Sequence, residues 1–267
     1  MTRFKNIFPN TSKVLIAMAH VPPLPGTPLY DNSAGVQGLI DHVKRDTEKL
    51  LTAGFDAILF CNEGDRPYEL NAGLEASAVM TRVVTECRPS NIPFGVDFLW
   101  DAQCALAIAV ATGAKFMREV INGTWESDMG LWAPNSAKLL RDRRNFGRDD
   151  LAIFANITPE FASPIGNRTP AQMAKSTVTS TLADAILVSG PMAGAEPDLS
   201  IVQSVRDAVQ LDVPVLLNTG AKSDTIAKYL KYANGCIVGS DLKRDGYTWN
   251  EVELDRAKRF VEAARSA

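Results

Sequence analysis

The sequence predicts an α/β fold: a (β/α)8 barrel forming one domain over 1–267. Three observations predict it. Eight short apolar runs, often β-branched, recur along the chain, as suits parallel strands covered on both faces. Amphipathic segments separate them, giving the strand–helix alternation of a parallel sheet. Glycine turns follow the last two runs, Gly220 after 215–217 and Gly239 after 236–238, where barrels of this kind commonly build a phosphate site. Right-handed crossovers also admit an open doubly wound sheet. The count of eight and the paired late glycines favour closure.

The first run, 14–19, leads to His20 and a proline-rich loop over 21–28 that cannot be helical. That loop stands as a stiff wall of the mouth or packs against a neighbouring subunit of a homo-oligomer. Segment 35–53 places Val36, Leu39, Ile40, Val43, Leu50 and Leu51 at helical spacing. His42 falls in it as a surface residue. Strands at 57–60, 94–98 and 116–121 alternate with helices at 74–87 and 102–111. The stretch 122–148 reads as a long loop over the active face plus its helix. Within it, Trp125 and Trp132 on a lid would stack on a ring or bury an interface, or tuck against the next helix. Strands at 151–157, 185–188, 215–217 and 236–238 alternate with helices at 169–182, 199–209, 224–232 and 250–264.

Composition narrows the class. The net charge of −3 leaves no basic footprint for a nucleic-acid partner. The hydrophobic share, 46%, supports a sizeable core. Cys61, Cys87, Cys104 and Cys236 form no CxxC pair and read as reduced thiols of a cytoplasmic protein. No apolar run reaches the roughly 18–20 residues that span a bilayer, so no membrane insertion is expected. The N-terminus lacks the long apolar stretch of a signal peptide.

Side chains at the C-terminal ends of barrel strands gather in one mouth. Here they are His20, Cys61, Asn62, Asp97, Arg118, Glu119, Asn156, Ser189, Asn218 and Ser240. His20, Asp97 and Glu119 are the acid–base candidates. Asp97 and Glu119 would split two protonation states or bind Mg²⁺ or another divalent cation. No HxH and no His/Cys cluster supports zinc, and no organic cofactor is expected. Arg118 would fork a carboxylate or phosphate, or close a salt bridge. Adjacent strand residues point to opposite sides, so at most one of Arg118 and Glu119 faces inward. Asn62, Asn156 and Asn218 would bind substrate, with Ser127 and Asp128 on its hydroxyls. Cys61 is a possible nucleophile, although burial is the commoner fate of a free thiol.

Lys13 and Lys115 begin strands, on the wrong rim for Schiff-base chemistry. Lys222 and Lys243 look more like phosphate partners. Backbone at Gly190, Gly220, Ala221, Gly239 and Ser240 would cradle the phosphate of a small anionic substrate. A helix beginning near Ser223 and Asp224 would add its positive end, with Asp224 as N-cap.

The stretch 18–28, Met-Ala-His-Val-Pro-Pro-Leu-Pro-Gly-Thr-Pro, resembles the opening signature of the BtpA/SgcQ family. Gly64-Asp65, Ser189-Gly190, Asn218-Thr-Gly220, Val238-Gly239-Ser240 and Lys243-Arg-Asp-Gly246 fall where that family has its other motifs, so the resemblance covers nearly the whole chain. The stretches 127–132 and 156–160 look closer to the SgcQ-like branch, often associated with sugar uptake and metabolism genes. The resemblance implies a TIM-type barrel and a nucleosidase label on that side. On the BtpA side it implies a non-catalytic assembly or stability factor linked to photosystem I. Cys61 replaces an acidic residue of many members, and Trp100-Asp101 replaces an Arg-Asn pair, which favours a different ligand.

Overall fold

In the computed structural model, which describes residues 2–267, eight parallel strands close into a barrel. A short helix, α1 (Arg3–Ile7), precedes them. The chain then alternates β1 (Val14–His20), α2 (Gly35–Ala53), β2 (Ala57–Cys61), α3 (Leu74–Cys87), β3 (Phe94–Asp97), α4 (Ala102–Thr112) and β4 (Phe116–Glu119). A hairpin, β5 (Trp125–Ser127) and β6 (Gly130–Trp132), leads into α5 (Ser136–Asn145) and β7 (Ala152–Asn156). After β8 (Ala162–Pro164) come α6 (Pro170–Thr181), β9 (Ala185–Val188), α7 (Leu199–Ala208), β10 (Val215–Leu217), α8 (Ile226–Leu230), β11 (Gly235–Val238) and α9 (Leu254–Arg265). Around the barrel the order is β1, β11, β10, β9, β7, β4, β3 and β2, and β2 pairs back onto β1.

The eight barrel strands are buried along their whole length. Helices cover one face and the opposite strands cover the other, which is why these runs read as continuously apolar. Local chemistry starts and stops the helices. Asp101 caps α4 by accepting from the Gln103 and Cys104 N–H groups at 2.9 and 3.1 Å. Thr169 and Gln172 form a capping box around Pro170 at the start of α6. Gly54, at φ 91°, ends α2 in the left-handed conformation.

The lower end of the barrel is plugged by aromatic rings. Phe116 and Phe154 stack at 4.9 Å between centroids. Phe4 of α1 packs on Phe154 at 5.5 Å, and Phe8, just past its end, packs on Phe116 at 6.1 Å. The sequence reading had no helix here.

Four further differences have physical causes. Strands β6, β5 and β8 form a separate antiparallel sheet, so Trp125 and Trp132 are buried, not exposed on a lid. Helix α8 is only five residues long and begins after Thr225, and Asp224 does not cap it. It therefore offers no sizeable dipole to a ligand. Two 3₁₀ turns, Ser240–Leu242 and Arg244–Gly246, delay α9 to residue 254. Lys243 lies between these turns, fully buried, with Nζ 2.9 Å from Asp46 Oδ2 on α2. It is a tether, not a phosphate ligand. Asp46 also accepts the Val252 N–H at 2.9 Å, and half-buried His42 lies 3.7 Å from it.

Removing one partner of a buried pair leaves an uncompensated charge. Asp46→Ala strands the Lys243 ammonium. Urea unfolding is expected to show a loss of about 3–5 kcal/mol, against under about 1 kcal/mol for Arg82→Ala at the exposed Arg82–Glu86 pair.

Candidate active site

A cavity of about 250 Å³ opens at the C-terminal end of the barrel. Of the residues singled out from sequence, His20, Arg118, Asn218, Gly220, Ala221, Gly239 and Ser240 line it. Glu63, Tyr68, Trp100, Glu160, Phe161, Lys222, Thr248 and Arg256 line it too. Of these, only Lys222 had been considered as a ligand partner.

Arg118 forms the floor. Its two terminal nitrogens lie 3.2 Å from Asp97 Oδ2 and 3.1 Å from Glu160 Oε1. Burial opposes the guanidinium charge, but Asp97 and Glu160 outweigh it and hold the group above the ordinary arginine range. Both ends of the fork therefore already face carboxylates, which leaves little capacity to grip a second anion.

Glu160 is held by three donors. Arg118 and the Thr219 hydroxyl reach Oε1, and Asn156 Nδ2 donates to Oε2 at 3.1 Å. A chain of hydrogen bonds stands behind that contact. Asn218 Nδ2 donates to Ser189 Oγ at 2.8 Å, and Ser189 Oγ donates to Asn156 Oδ1 at 3.1 Å. Asn156 thus lies behind the cavity wall and orients Glu160.

Glu63 is a different kind of acid. Burial pushes its carboxyl up to about 7; Arg118 pulls it back, while Glu160 and Asp97 add to the rise. Tyr68 Oη donates to Oε1 at 3.4 Å, and His20 Nε2 lies 3.9 Å from Oε2. Burial, with the Lys243 charge behind it, drives His20 well below its usual range, so its ring is neutral at pH 7. The Thr248 carbonyl, 3.4 Å from Nδ1, can only accept. That assigns the ring hydrogen to Nδ1 and leaves Nε2 an acceptor towards Glu63.

The other expected site residues lie off the cavity. Asp97 is buried beneath it, its carboxyl raised to about 6 by burial while Arg118 pulls down. Glu119 accepts the Phe98 N–H at 3.1 Å and is raised well above the carboxylate range by burial and by Asp97. Asn62 ties two loops together: it accepts the Leu99 N–H at 2.7 Å and donates to the Leu99 carbonyl and to Asp65. Ser127 Oγ donates to the Gly130 carbonyl at 2.7 Å, closing the β5–β6 turn, and Asp128 is exposed in that turn. At Gly190 a Cβ would collide with the Ala195 carbonyl; the glycine serves packing. The Cys61 thiol is buried and raised well above its usual range, the wrong direction for a nucleophile. Asp97 and Glu119 engage different partners. Among the described residues no group of three or more His, Cys, Asp or Glu could hold a metal ion.

The late turns face the cavity from the other side. The N–H groups of Gly194, Gly220, Ala221, Lys222 and Ser240 meet no acceptor among the described residues. Lys222 and Arg256 add positive charge. Asp241 partly offsets it, accepting the Ser223 N–H at 2.9 Å and facing Arg256 at 3.4 Å. Gly220, at φ 92°, also needs its missing Cβ, because the Ala195 carbonyl occupies that space. At Gly239 a Cβ would lie 2.8 Å from the His20 ring.

Fold and site together define a (β/α)8-barrel protein with a charged pocket at its C-terminal mouth. A profile described as BtpA family matches residues 11–266, and the chain belongs to that family. It is 37% identical to the sgc-region protein SgcQ of Escherichia coli (strain K12), over 94% of each chain. It is 31% identical to the photosystem I biogenesis protein BtpA of Synechocystis, over 95% of this chain and 88% of that one. Among solved structures, phosphoribosyl anthranilate isomerase from Thermotoga maritima superposes with a TM-score of 0.58 at 12% identity, over 96% of this chain and 100% of that one. This last likeness shows the fold. No helix among the described residues is long and apolar enough to cross a membrane.

Glu63 yields a test that needs no substrate. Its folded value of about 7 lies above the ordinary 4.5. The folded state therefore holds the extra proton, and the stability it gives is complete below about pH 4.5 and lost as pH rises to about 7. Glu63→Gln keeps the shape and removes the titration. Urea unfolding at pH 5 and pH 8 is expected to show the variant gaining about 2–3 kcal/mol on the wild type between the two.

Proposed function

We propose that this protein is an enzyme acting on a phosphorylated sugar or nucleoside-like small molecule. The observation that carries the reading is the pairing, in one cavity, of unengaged backbone N–H groups with two acids in unlike surroundings. Phosphate rests on the Gly220, Ala221 and Ser240 N–H groups, with Lys222 and Arg256 beside it. The sugar lies over Arg118 and Glu160. Glu63, holding its proton near neutral pH, is the proton donor. Glu160 supplies fixed negative charge to a developing cation or takes a proton beside a carbonyl. Nucleosidase and isomerase chemistry both draw on these parts. Glycosidic cleavage uses Glu63 to protonate the leaving group and Glu160 to stabilise oxocarbenium charge and activate water. Isomerisation uses the same pair to move a proton between neighbouring carbons.

The name of the Synechocystis relative raises a second role, in photosystem I biogenesis. The concentration of charged groups inside a cavity favours the enzyme reading for this chain.

A thermal-shift screen of sugar phosphates, nucleosides and nucleotides, with and without Mg²⁺, tests it. At least one phosphorylated compound should stabilise the wild type, by about 2.7 kcal/mol at 100 times its dissociation constant. Lys222→Glu should weaken that compound about tenfold or more, because charge beside phosphate is reversed. No response to any phosphorylated compound would overturn the reading. With a substrate in hand, Glu63→Gln and Glu160→Gln should each lower turnover about 100-fold or more, and the loss in Glu63→Gln should be largest below pH 7, where the wild-type acid is protonated.

A further inference from the structure

We propose that the mouth holds a ring-binding subsite formed by Tyr68 and Phe161, with Trp100 buried behind Tyr68 against Trp132, and that the ligand is a sugar phosphate joined to an aromatic or heteroaromatic ring. The inference rests on the anion site proposed above and narrows its substrate class.

Three separate loops bring the rings together. Tyr68 follows β2, Trp100 follows β3 and Phe161 follows β7. Tyr68 and Trp100 meet edge to face at 6.3 Å, and Tyr68 and Phe161 lie 6.4 Å apart. All three line the cavity. Phe161 adopts φ 58°, a left-handed conformation that a non-glycine residue rarely takes. Its backbone is pinned there by its N–H to the Pro191 carbonyl at 3.3 Å and by the Asp128 N–H to its own carbonyl at 3.1 Å. Held backbone of this kind points from geometry to use.

Barrel order gives the arrangement its meaning. In the ring of eight strands, β3 stands opposite β10 and β2 stands opposite β9. Trp100 and Tyr68 therefore face, across the mouth, the loops carrying Gly220 and Gly194. One pole offers N–H groups and cations; Tyr68 stands at the other, and Phe161, bonded to Pro191 in the loop after β9, reaches across to it at 6.4 Å. Between the poles lie His20, Glu63, Arg118 and Glu160, which suit hydroxyls and a reacting centre. A bare sugar phosphate satisfies the first pole and the middle but leaves unused the half-buried Tyr68 and Phe161 rings that line the cavity. A flat ring engages them, because every such ring has a face to stack.

Isothermal titration of the wild type, Tyr68→Leu and Phe161→Leu with ribose 5-phosphate, adenosine 5′-monophosphate and uridine 5′-monophosphate decides the matter. At least one nucleotide should bind the wild type about tenfold or more tightly than ribose 5-phosphate. Either leucine variant should lose most of that advantage while keeping its affinity for ribose 5-phosphate, which also reports an intact mouth. Where a variant loses ribose 5-phosphate as well, the wild-type comparison decides alone. Ribose 5-phosphate binding as tightly as both nucleotides overturns the ring subsite and leaves the anion site standing. A nucleotide advantage untouched in both intact variants places the ring elsewhere and also overturns it. Failure of all three compounds to bind overturns the ring subsite, and the wider screen of phosphorylated compounds then decides the anion site.

Discussion

The upper half of the barrel depends on one buried guanidinium. Asp97, Glu160, Glu63 and Glu119 all lie near Arg118, and burying carboxyl groups without compensation is costly. Arg118 offsets part of that cost, but it does so unevenly. It contacts Asp97 and Glu160 directly and reaches Glu63 only through space. Glu160 gains three donors, whereas Glu63 has a phenol at 3.4 Å and a neutral imidazole at 3.9 Å. Glu160 is thereby held as an acceptor, while burial raises Glu63 to about 7 and the Arg118 charge pulls it only part of the way back.

The architecture was legible because it is written in period and count. Eight apolar runs appear as eight barrel strands, their ends shifted by two residues or fewer, since both faces of each strand are covered. Parts of the mouth were legible for the same reason: His20, Arg118, Asn218, Gly220 and Gly239 sit at strand ends, and strand ends converge. What sequence could not show is which acid reaches the cavity once the loops fold back. Asp97 and Glu119 end their strands, yet neither lines the cavity. Glu63 and Glu160 lie two and four residues beyond their strands, and loop geometry alone carries them inward. Glu160 sits within a stretch the family resemblance had marked, Asn156 to Glu160; Glu63 falls between Cys61 and the Gly64-Asp65 motif. Both could have been read as acids just past a strand end.

Lysine misled for a related reason, and the tryptophans left two readings open. Lys243 stands in a glycine-rich terminal loop and reads as a phosphate partner, but Asp46 on α2 claims it. Trp125 and Trp132 admit a lid or a loop tucked away, and β8 (Ala162–Pro164) decides between them by pairing with β5, so that the small sheet buries both. In each case the deciding partner is distant in sequence. Gly220 is a mixed case: its missing Cβ makes room for the Ala195 carbonyl, so packing and an open N–H arise from the same residue.

The plug of Phe4, Phe8, Phe116 and Phe154 seals the lower end of the barrel. Molecular traffic then has a single doorway. Whatever enters the cavity must leave by the route it came.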